Sequence, residues 1–256
     1  MQHTVLVTGA TAGFGEATAR RFLAHGHQVI ACGRRADRLE ALQKSLPADQ
    51  QEKLLTMVVD VCDSAQVDNL ATSLPAEFSK VTVLVNNAGL ALGLEPAYQA
   101  NISDWDRMID TNIKGLVHMT RAFLPGMVER KSGHIINVGS VAGLYPYPGS
   151  NVYGSTKAFV KQFSLNLRAD LIGTPLRVTC VEPGLSSGTE YSNVRFKGDD
   201  EKAEKVYEGV HALSADDIAE AIYWTATLPV HVNINALEIM PVQQSFAGTT
   251  LHRGSY

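Results

Sequence analysis

The 256-residue sequence contains no apolar run that approaches the roughly 20 residues of a membrane-spanning helix. Its N-terminus leads directly into a strand-like segment at 4–7, without the basic region, apolar stretch and cleavage site of a secretory leader. We therefore expect no membrane association and a cytoplasmic location.

Cysteine is scarce, and Cys32, Cys62 and Cys180 are the three in the chain. Their number is odd and each lies in or beside a strand-like segment. This favours small buried side chains in a reducing cytoplasm over disulfides or metal ligands. We predict no metal site.

Charge of either sign is modest: 22 Lys and Arg face 26 Asp and Glu, which gives a formal net charge of −4. This balance gives no reason to expect nucleic acid or an anionic membrane as a partner. Apolar residues at 45% are enough for a sizeable core. The length allows one large α/β domain or two small ones.

Short apolar runs alternate with longer amphipathic segments along the chain. The apolar runs are rich in Val, Ile and Leu on both faces, as buried parallel strands are, and the alternation predicts a parallel sheet with helices on both faces. No linker or repeat interrupts the pattern, so we expect a single domain over 1–256. The predicted strands are 4–8, 28–32, 55–59, 82–86, 133–139, 177–181 and 236–240, and the predicted helices are 14–25, 36–45, 64–74, 103–129, 151–173 and 214–227.

Two local signals complete this outline. Ser214 and Asp217 form a plausible capping box at the start of the last helix. Segment 185–213 is polar, charged and glycine-bearing, and it lies between a strand and that helix. A long insertion beyond the carboxyl edge of a parallel sheet often covers a substrate, so we predict a lid at about 185–213. It is called the lid segment below.

A glycine-rich stretch at 8–15 follows the first strand and opens the first helix. Its spacing is Gly9-x-x-x-Gly13-x-Gly15. Glycines at such a turn let the backbone approach a pyrophosphate, and the helix N-terminus offers free N–H groups and partial positive charge. The pattern favours a dinucleotide-phosphate loop; the alternative is a structural turn.

Arg34 and Arg35 follow the second strand, and no acid precedes Asp37. A site that prefers NAD usually carries an acid near here for the ribose hydroxyls. A guanidinium instead suits a 2′-phosphate, which favours NADP(H). The alternative is that one or both arginines are solvated at a helix start.

Tyr153 and Lys157 are four residues apart in a segment that can be helical. They would share one face of that helix, where a nearby cation favours the phenolate and lowers the pKa of the phenol. The pair is therefore a candidate for proton transfer. By itself the spacing is weak, because both residue types are common on helix surfaces.

Together these motifs resemble the short-chain dehydrogenase/reductase family from end to end. The resemblance rests on the glycine-rich loop, Asp60-Val61, Asn86-Asn87-Ala88-Gly89, Asn112, Ser140, Tyr153 with Lys157, and Pro183-Gly184. It implies a Rossmann-type doubly wound fold, a nicotinamide cofactor and a homotetramer with contacts from long helices and the C-terminal segment. It also implies a catalytic tetrad of Asn112, Ser140, Tyr153 and Lys157.

The resemblance assigns each member of the tetrad a role. Tyr153 is the acid/base, and Lys157 keeps its pKa low and holds the nicotinamide ribose. Ser140 donates a hydrogen bond to the substrate oxygen. Asn112 fixes a water that relays protons to Lys157; taken alone, it would be a helix residue with a satisfied amide.

The same resemblance places the cofactor along the carboxyl edge of the sheet. Asp60 and Val61 are expected at the adenine, Asn87 on the ribose side, and 183–191 at the nicotinamide amide. The full set of predicted cofactor-binding residues is Gly9, Ala10, Thr11, Ala12, Gly13, Phe14, Gly15, Arg34, Arg35, Asp60, Val61, Asn87, Tyr153, Lys157, Pro183, Gly184, Leu185, Ser186, Ser187, Gly188, Thr189, Glu190 and Tyr191.

Segments 89–93, 193–200 and 231–235 look like those of the NADP-dependent 3-hydroxy acid dehydrogenases. That resemblance implies oxidation at C3 of serine, L-allo-threonine or 3-hydroxypropanoate, and reduction of malonic semialdehyde. Ser140 and Tyr153 would bind the reacting oxygen. Arg195 would anchor the substrate carboxylate, unless it and Lys197 are solvated lid charges or pair with another subunit.

Two other functions stay open at this point. A short-chain reductase could act on another small carbonyl or on an acyl thioester, although the mixed charge of the lid segment does not favour a carrier protein. A non-catalytic NADP(H)-sensing protein is the second, although such proteins typically lose the Tyr or the Lys.

Overall fold

The computed structural model describes residues 2–246. Seven parallel strands form one sheet in the order β3-β2-β1-β4-β5-β6-β7. The order reverses between β1 and β4, which opens a crevice at the carboxyl ends of these two strands. The strands are β1 (Thr4–Thr8), β2 (Gln28–Gly33), β3 (Leu54–Val58), β4 (Val83–Asn86), β5 (His134–Val138), β6 (Arg177–Pro183) and β7 (Ala236–Ile239).

Helices cover both faces of this sheet and follow the strands in turn. They are α1 (Gly13–Ala24), α2 (Ala36–Lys44), α3 (Ala48–Gln51), α4 (Ser64–Ser73), α5 (Ile102–Ile109), α6 (Leu116–Glu129), α7 (Asn151–Asp170), α8 (Tyr191–Arg195), α9 (Asp200–Lys205) and α10 (Ala215–Thr227). A short 3₁₀ turn at Val141–Gly143 links β5 to α7.

The hydrophobic core is divided by the sheet into two layers. Val5 and Val7 of β1 pack into one layer, with Phe22 of α1 and Ile218 of α10. Leu6 of β1 packs into the other, where α4, α6 and α7 contribute side chains. Successive strand residues point to opposite faces, so a strand buried on both sides must be apolar throughout.

The predicted fold class is confirmed, and all seven predicted strands are present. Their ends differ from the predicted ones by at most two residues. The capping box is confirmed: the Ser214 hydroxyl accepts from the Asp217 N–H, and the Asp217 carboxylate accepts from the Ser214 N–H. The short helices α3, α8 and α9 were not predicted, because four to six residues carry too little periodicity.

The predicted helix at 103–129 is wrong in one respect. Between α5 and α6 the chain forms a π-helical turn at Asp110–Gly115. A π turn adds one residue to the helical repeat, and such turns are frequent at functional sites. Hydrophobic periodicity does not resolve one extra residue, so the sequence indicated an unbroken helix.

The lid segment leaves the carboxyl end of β6 and returns to α10, and it contains α8 and α9. The Gly93 N–H donates to the Arg195 carbonyl at 3.0 Å, which ties α8 to the chain after β4. Ser186 and Leu213 form a bridge that closes the base of the segment. Within residues 2–246, no helix is both long enough and apolar enough to cross a bilayer.

Candidate active site

A cavity of about 340 Å³ opens at the point where the strand order reverses. It extends from the end of β2 to α7, and the lid segment covers one side. Fifteen of the predicted site residues line it: Gly9, Thr11, Ala12, Gly13, Phe14, Arg34, Arg35, Asp60, Val61, Asn87, Tyr153, Lys157, Thr189, Glu190 and Tyr191.

The glycine-rich loop forms one wall of this cavity. Gly9 and Gly13 have φ angles of +66° and +53°, a region that L side chains rarely adopt. Gly15 allows α1 to pack against the loop, because a Cβ there would collide with the Gly9 carbonyl oxygen. The loop therefore presents bare backbone and a helix N-terminus to the cavity, as a dinucleotide phosphate requires.

The loop is held to the end of β4 by hydrogen bonds. Asn87 Nδ2 donates to the Thr8 carbonyl at 2.9 Å and to that of Gly9 at 3.3 Å. The Thr8 hydroxyl accepts from the N–H groups of Asn87 and Ala88. Asn87 was predicted on the ribose side; here its amide fixes the shape of the phosphate loop.

Arg34 and Arg35 line the cavity end nearest β2 together with two carboxylates, those of Asp60 and Glu190. Arg34 lies 3.9 Å from Asp60 and is half exposed. Arg35 donates to the Glu190 carboxylate at 2.7 Å, and Arg38 contacts the other oxygen of that carboxylate at 3.4 Å. We predicted Glu190 at the nicotinamide amide, but its carboxylate meets these arginines.

Tyr153 and Lys157 lie one turn apart on α7, and each side chain is 7% exposed. Lys157 Nζ donates to the Val138 carbonyl at 2.8 Å and lies 5.9 Å from the centroid of the Tyr153 ring. The predicted pair therefore shares one buried corner, at the end of β5.

Burial dominates the electrostatics of this pair. Burial raises the pKa of Tyr153, and the nearby hydroxyls of Tyr191 and Ser140 only partly oppose it. Burial also lowers the pKa of Lys157 to about 8. Desolvation disfavours the charged form of both groups.

Ser140 and Asn112 complete the predicted tetrad beside this pair. Ser140 caps the 3₁₀ turn after β5, where its Oγ accepts from the Ala142 N–H at 3.1 Å. Asn112 is 1% exposed in the π-helical turn, and its Nδ2 donates to the Thr156 hydroxyl on α7 at 3.0 Å. The fold thus brings all four predicted residues together.

Arg195 of α8 is buried among aromatic rings. Its Cζ lies 5.5 Å from the Tyr147 centroid, 5.8 Å from that of Tyr153 and 6.0 Å from that of Tyr191. Nη1 donates to the Tyr147 hydroxyl at 3.0 Å, and Nε to the Gly93 carbonyl at 3.2 Å. Nη2 is buried without a hydrogen-bond partner. A buried guanidinium with free N–H groups is a ready carboxylate site.

Some predicted residues are not part of the cavity lining, and some residues that do line it were not predicted. Gly89 lies between Asn112 and Lys157, and Arg107 precedes Thr111 by one helical turn on the same face. That spacing could have identified Arg107. The predicted site residues that do not line the cavity are Ala10, Gly15, Asn112, Ser140, Pro183, Gly184, Leu185, Ser186, Ser187, Gly188 and Arg195.

A doubly wound sheet with a phosphate loop, and a buried Tyr–Lys pair beside a polar hydroxyl, define a nicotinamide-dependent oxidoreductase. The short chain dehydrogenase family matches residues 3–200. The chain belongs to that family, and the predicted resemblance is confirmed.

Individual relatives narrow the comparison. The chain is 64% identical over 249 residues to the NADP-dependent 3-hydroxy acid dehydrogenase YdfG of Salmonella typhi, which covers 97% of this chain and 99% of the relative. It is 50% identical over 255 residues, and 100% of both chains, to a serine 3-dehydrogenase of Agrobacterium fabrum. A closed form of serine dehydrogenase complexed with NADP⁺ superposes with a TM-score of 0.94 and 61% identity, over 98% of this chain and 99% of that one.

Proposed function

We propose that the protein oxidises the C3 hydroxyl of small 3-hydroxy acids such as serine, L-allo-threonine or 3-hydroxypropanoate with NADP⁺, and reduces malonic semialdehyde in reverse. The observation that carries the proposal is the unpaired Nη2 of buried Arg195, whose guanidinium lies against the Tyr153 ring. A guanidinium so close to a candidate acid/base suits a substrate with a carboxylate near the reacting hydroxyl.

The proton chemistry follows from the buried pair. In oxidation Tyr153 takes the proton of the substrate hydroxyl while the C3 hydride leaves, and a carbonyl forms. Ser140 donates to the substrate oxygen, where charge develops. Lys157, its pKa lowered to about 8 by burial, can exchange protons near neutrality. When bound, the nicotinamide accepts the hydride or returns it.

The arginines after β2 support NADP(H) over NAD(H). β2 ends at Gly33 and no acid follows before Asp37, so no carboxylate accepts the ribose hydroxyls there. Arg34 is half exposed, and its one described ion pair is the long contact with Asp60, so its donors can reach a phosphate. Gly9 and Gly13 would hold the pyrophosphate.

The test is a substrate panel read at 340 nm with NADP⁺ and NAD⁺ in parallel. We expect turnover of L-serine and 3-hydroxypropanoate with NADP⁺, and a much lower kcat/KM with NAD⁺. The matched control is propane-1,3-diol, which has the same chain and no carboxylate. Equal rates on the diol, or preference for an acyl thioester, would favour reduction of another carbonyl; no absorbance change at all would favour an NADP(H) sensor.

We further propose a homotetramer in the cytoplasm. Phe159 and Leu165 on the outer face of α7 and Trp224 on α10 are each more than a third exposed, which suits helix faces that pack against other subunits. The three cysteines are free, and free thiols suit a reducing compartment, although Cys62 is exposed and not buried as predicted. The predicted C-terminal contact segment lies partly outside the described residues. Light scattering of the purified protein tests the tetramer.

The lid over 185–213 and the single domain over 1–256 also remain proposals. The lid is supported by Tyr191, whose ring packs edge-on against Tyr153 with centroids 5.8 Å apart. Protection of this segment from proteases by NADP⁺ and substrate together would support it.

A further inference from the structure

Glu190 at the start of α8 joins the lid segment to the arginines proposed for the 2′-phosphate. Each carboxylate oxygen meets a different guanidinium: Oε2 accepts from Arg35 at 2.7 Å, and Oε1 lies 3.4 Å from Arg38. The contact spans 155 residues of sequence, so the fold creates it. A carboxylate that bridges two guanidiniums is placed as a phosphate would be.

The donors of Arg35 are nearly all engaged. Its Nε and Nη2 donate to the Thr11 hydroxyl at 3.3 and 2.9 Å, and Nη2 also donates to the Thr11 carbonyl at 3.3 Å. Nη1 donates to Glu190. A guanidinium has five N–H groups, so one remains for a further acceptor. Arg35 cannot hold Glu190, Thr11 and a phosphate in a bidentate fashion at once.

The negative charge of Glu190 also opposes the binding of a phosphate at these arginines. A phosphate monoester carries close to two negative charges at neutral pH, and a carboxylate on the same guanidiniums repels it. Arg34 differs from its neighbours, because its one described ion pair is the 3.9 Å contact with Asp60. Arg34 is therefore available to a phosphate at once, whereas Arg35 must give up Glu190 before it can bind a phosphate in a bidentate fashion, and Arg38 shares its contact with that carboxylate.

We propose that Glu190 competes with the 2′-phosphate of NADP(H) for Arg35 and Arg38, and so weakens nucleotide binding below what the three arginines would allow. A nucleotide without the 2′-phosphate leaves the Glu190 pairs in place and is unaffected. Glu190 thus narrows the preference for NADP(H) over NAD(H). This inference rests on the proposed NADP(H) site.

The test is calorimetric binding of 2′,5′-ADP and 5′-ADP, which differ in the 2′-phosphate and lack the nicotinamide. Glu190 is 40% exposed, and exposed ion pairs are worth up to about 1 kcal/mol, so Glu190→Gln is expected to tighten 2′,5′-ADP by about three- to fivefold and leave 5′-ADP unchanged. The matched control is Glu208→Gln, which removes the same charge from an exposed part of the lid segment. It is expected to change neither affinity.

The outcomes separate this inference from the proposed function. If Glu190→Gln binds 2′,5′-ADP more weakly or equally, or gains as much for 5′-ADP, Glu190 is not a competitor and the inference fails alone. If the unaltered protein binds both nucleotides equally, the 2′-phosphate site and the inference fail together. Both results are binding measurements made without turnover, so they do not depend on which substrate the protein uses.

Discussion

Both ends of the Asn112 side-chain amide are held by the backbone of Leu90. Nδ2 donates to the Leu90 carbonyl at 2.9 Å, and Oδ1 accepts from the Leu90 N–H, also at 2.9 Å. The second Nδ2 hydrogen goes to Thr156. One lone pair of Oδ1 is left without a partner. Oδ1 is the atom nearest to a Cβ built on Gly89, and that Cβ would also lie 3.4 Å from Lys157 Nζ.

Gly89 therefore keeps a gap open between Asn112 and Lys157, where the resemblance placed a water that carries protons. A Cβ there would lie 3.2 Å from Asn112 Oδ1. We expect Gly89→Ala to lower kcat by roughly ten- to a hundredfold, because a partly blocked proton path forfeits part of the ~10²- to 10⁴-fold that positioned acid–base groups contribute. Steady-state kinetics measure the change in kcat, and a parallel binding experiment measures the affinity for NADPH, which we expect to change less than twofold.

The matched control is Gly126→Ala on α6, where the added Cβ meets the far end of the long Arg130 side chain. This variant is expected to keep its full kcat. If Gly89→Ala also keeps its full kcat, no proton path passes between Asn112 and Lys157. If it loses NADPH affinity in proportion to kcat, the effect is one of cofactor position.

Tyr153 is expected to be indispensable for turnover and not for binding. Tyr153→Phe keeps the ring that packs on Tyr191 and Arg195 and removes the hydroxyl. General acid–base groups contribute about 10²- to 10⁴-fold, so kcat should fall by that range in both directions. The fluorescence of bound NADPH should give an unchanged Kd. Retention of a tenth or more of kcat would assign the proton transfer to another group.

Some features of the fold and of the candidate site could be predicted from the sequence, and others could not. The strands, the glycine-rich turn after β1 and the meeting of Tyr153 with Lys157 were predictable, because each depends on local pattern or on a motif of fixed spacing. The Glu190–Arg35 contact was not, because it joins positions 155 residues apart and depends on how the lid segment folds back. The degree of burial around Tyr153, which raises the pKa of the phenol, was also not visible in the sequence, which shows only that a lysine is four residues away.

Arg195 should recognise the carboxylate of the substrate by shape as well as by charge. Arg195→Lys keeps the charge and loses the planar fork. We expect KM for 3-hydroxypropanoate to rise by roughly tenfold, because a charge-assisted bidentate pair is worth about 1.5–3 kcal/mol and a single ammonium contact recovers part of it. The rate on propane-1,3-diol should stay the same.

Lys202→Ala serves as the control, because it removes a cation of the lid segment that is paired with Asp199 at the protein surface. We expect its KM for 3-hydroxypropanoate to match that of the unaltered protein. If Arg195→Lys slows the diol and the acid equally, Arg195 supports the position of Tyr153 and does not bind the carboxylate.

A cluster of histidines at the amino end of the sheet should make stability depend on pH. Burial, together with the neighbouring His27 and Arg177, lowers the pKa of His3 from 6.5 to about 4. Burial also lowers the pKa of His27 and places that of His134 well below its ordinary value. These rings are therefore neutral in the folded protein across a range in which they are protonated once unfolded.

The sign follows from proton counts. Below pH 6.5 these rings bind protons in the unfolded chain but stay neutral in the folded protein. The free energy of unfolding therefore falls as the pH drops from about 6.5 towards 4. We expect the free energy of unfolding to be roughly 2 kcal/mol lower at pH 5 than at pH 7. This figure is smaller than the sum for three fully buried rings, because His3 is partly exposed and solvent screens it. Thermal unfolding should show Tm falling by several degrees over this interval.

His3→Gln should reduce the dependence of Tm on pH, and the same substitution at exposed His231 should leave it unchanged. Equal slopes in the two variants would show that His3 does not contribute and that the pH dependence arises elsewhere.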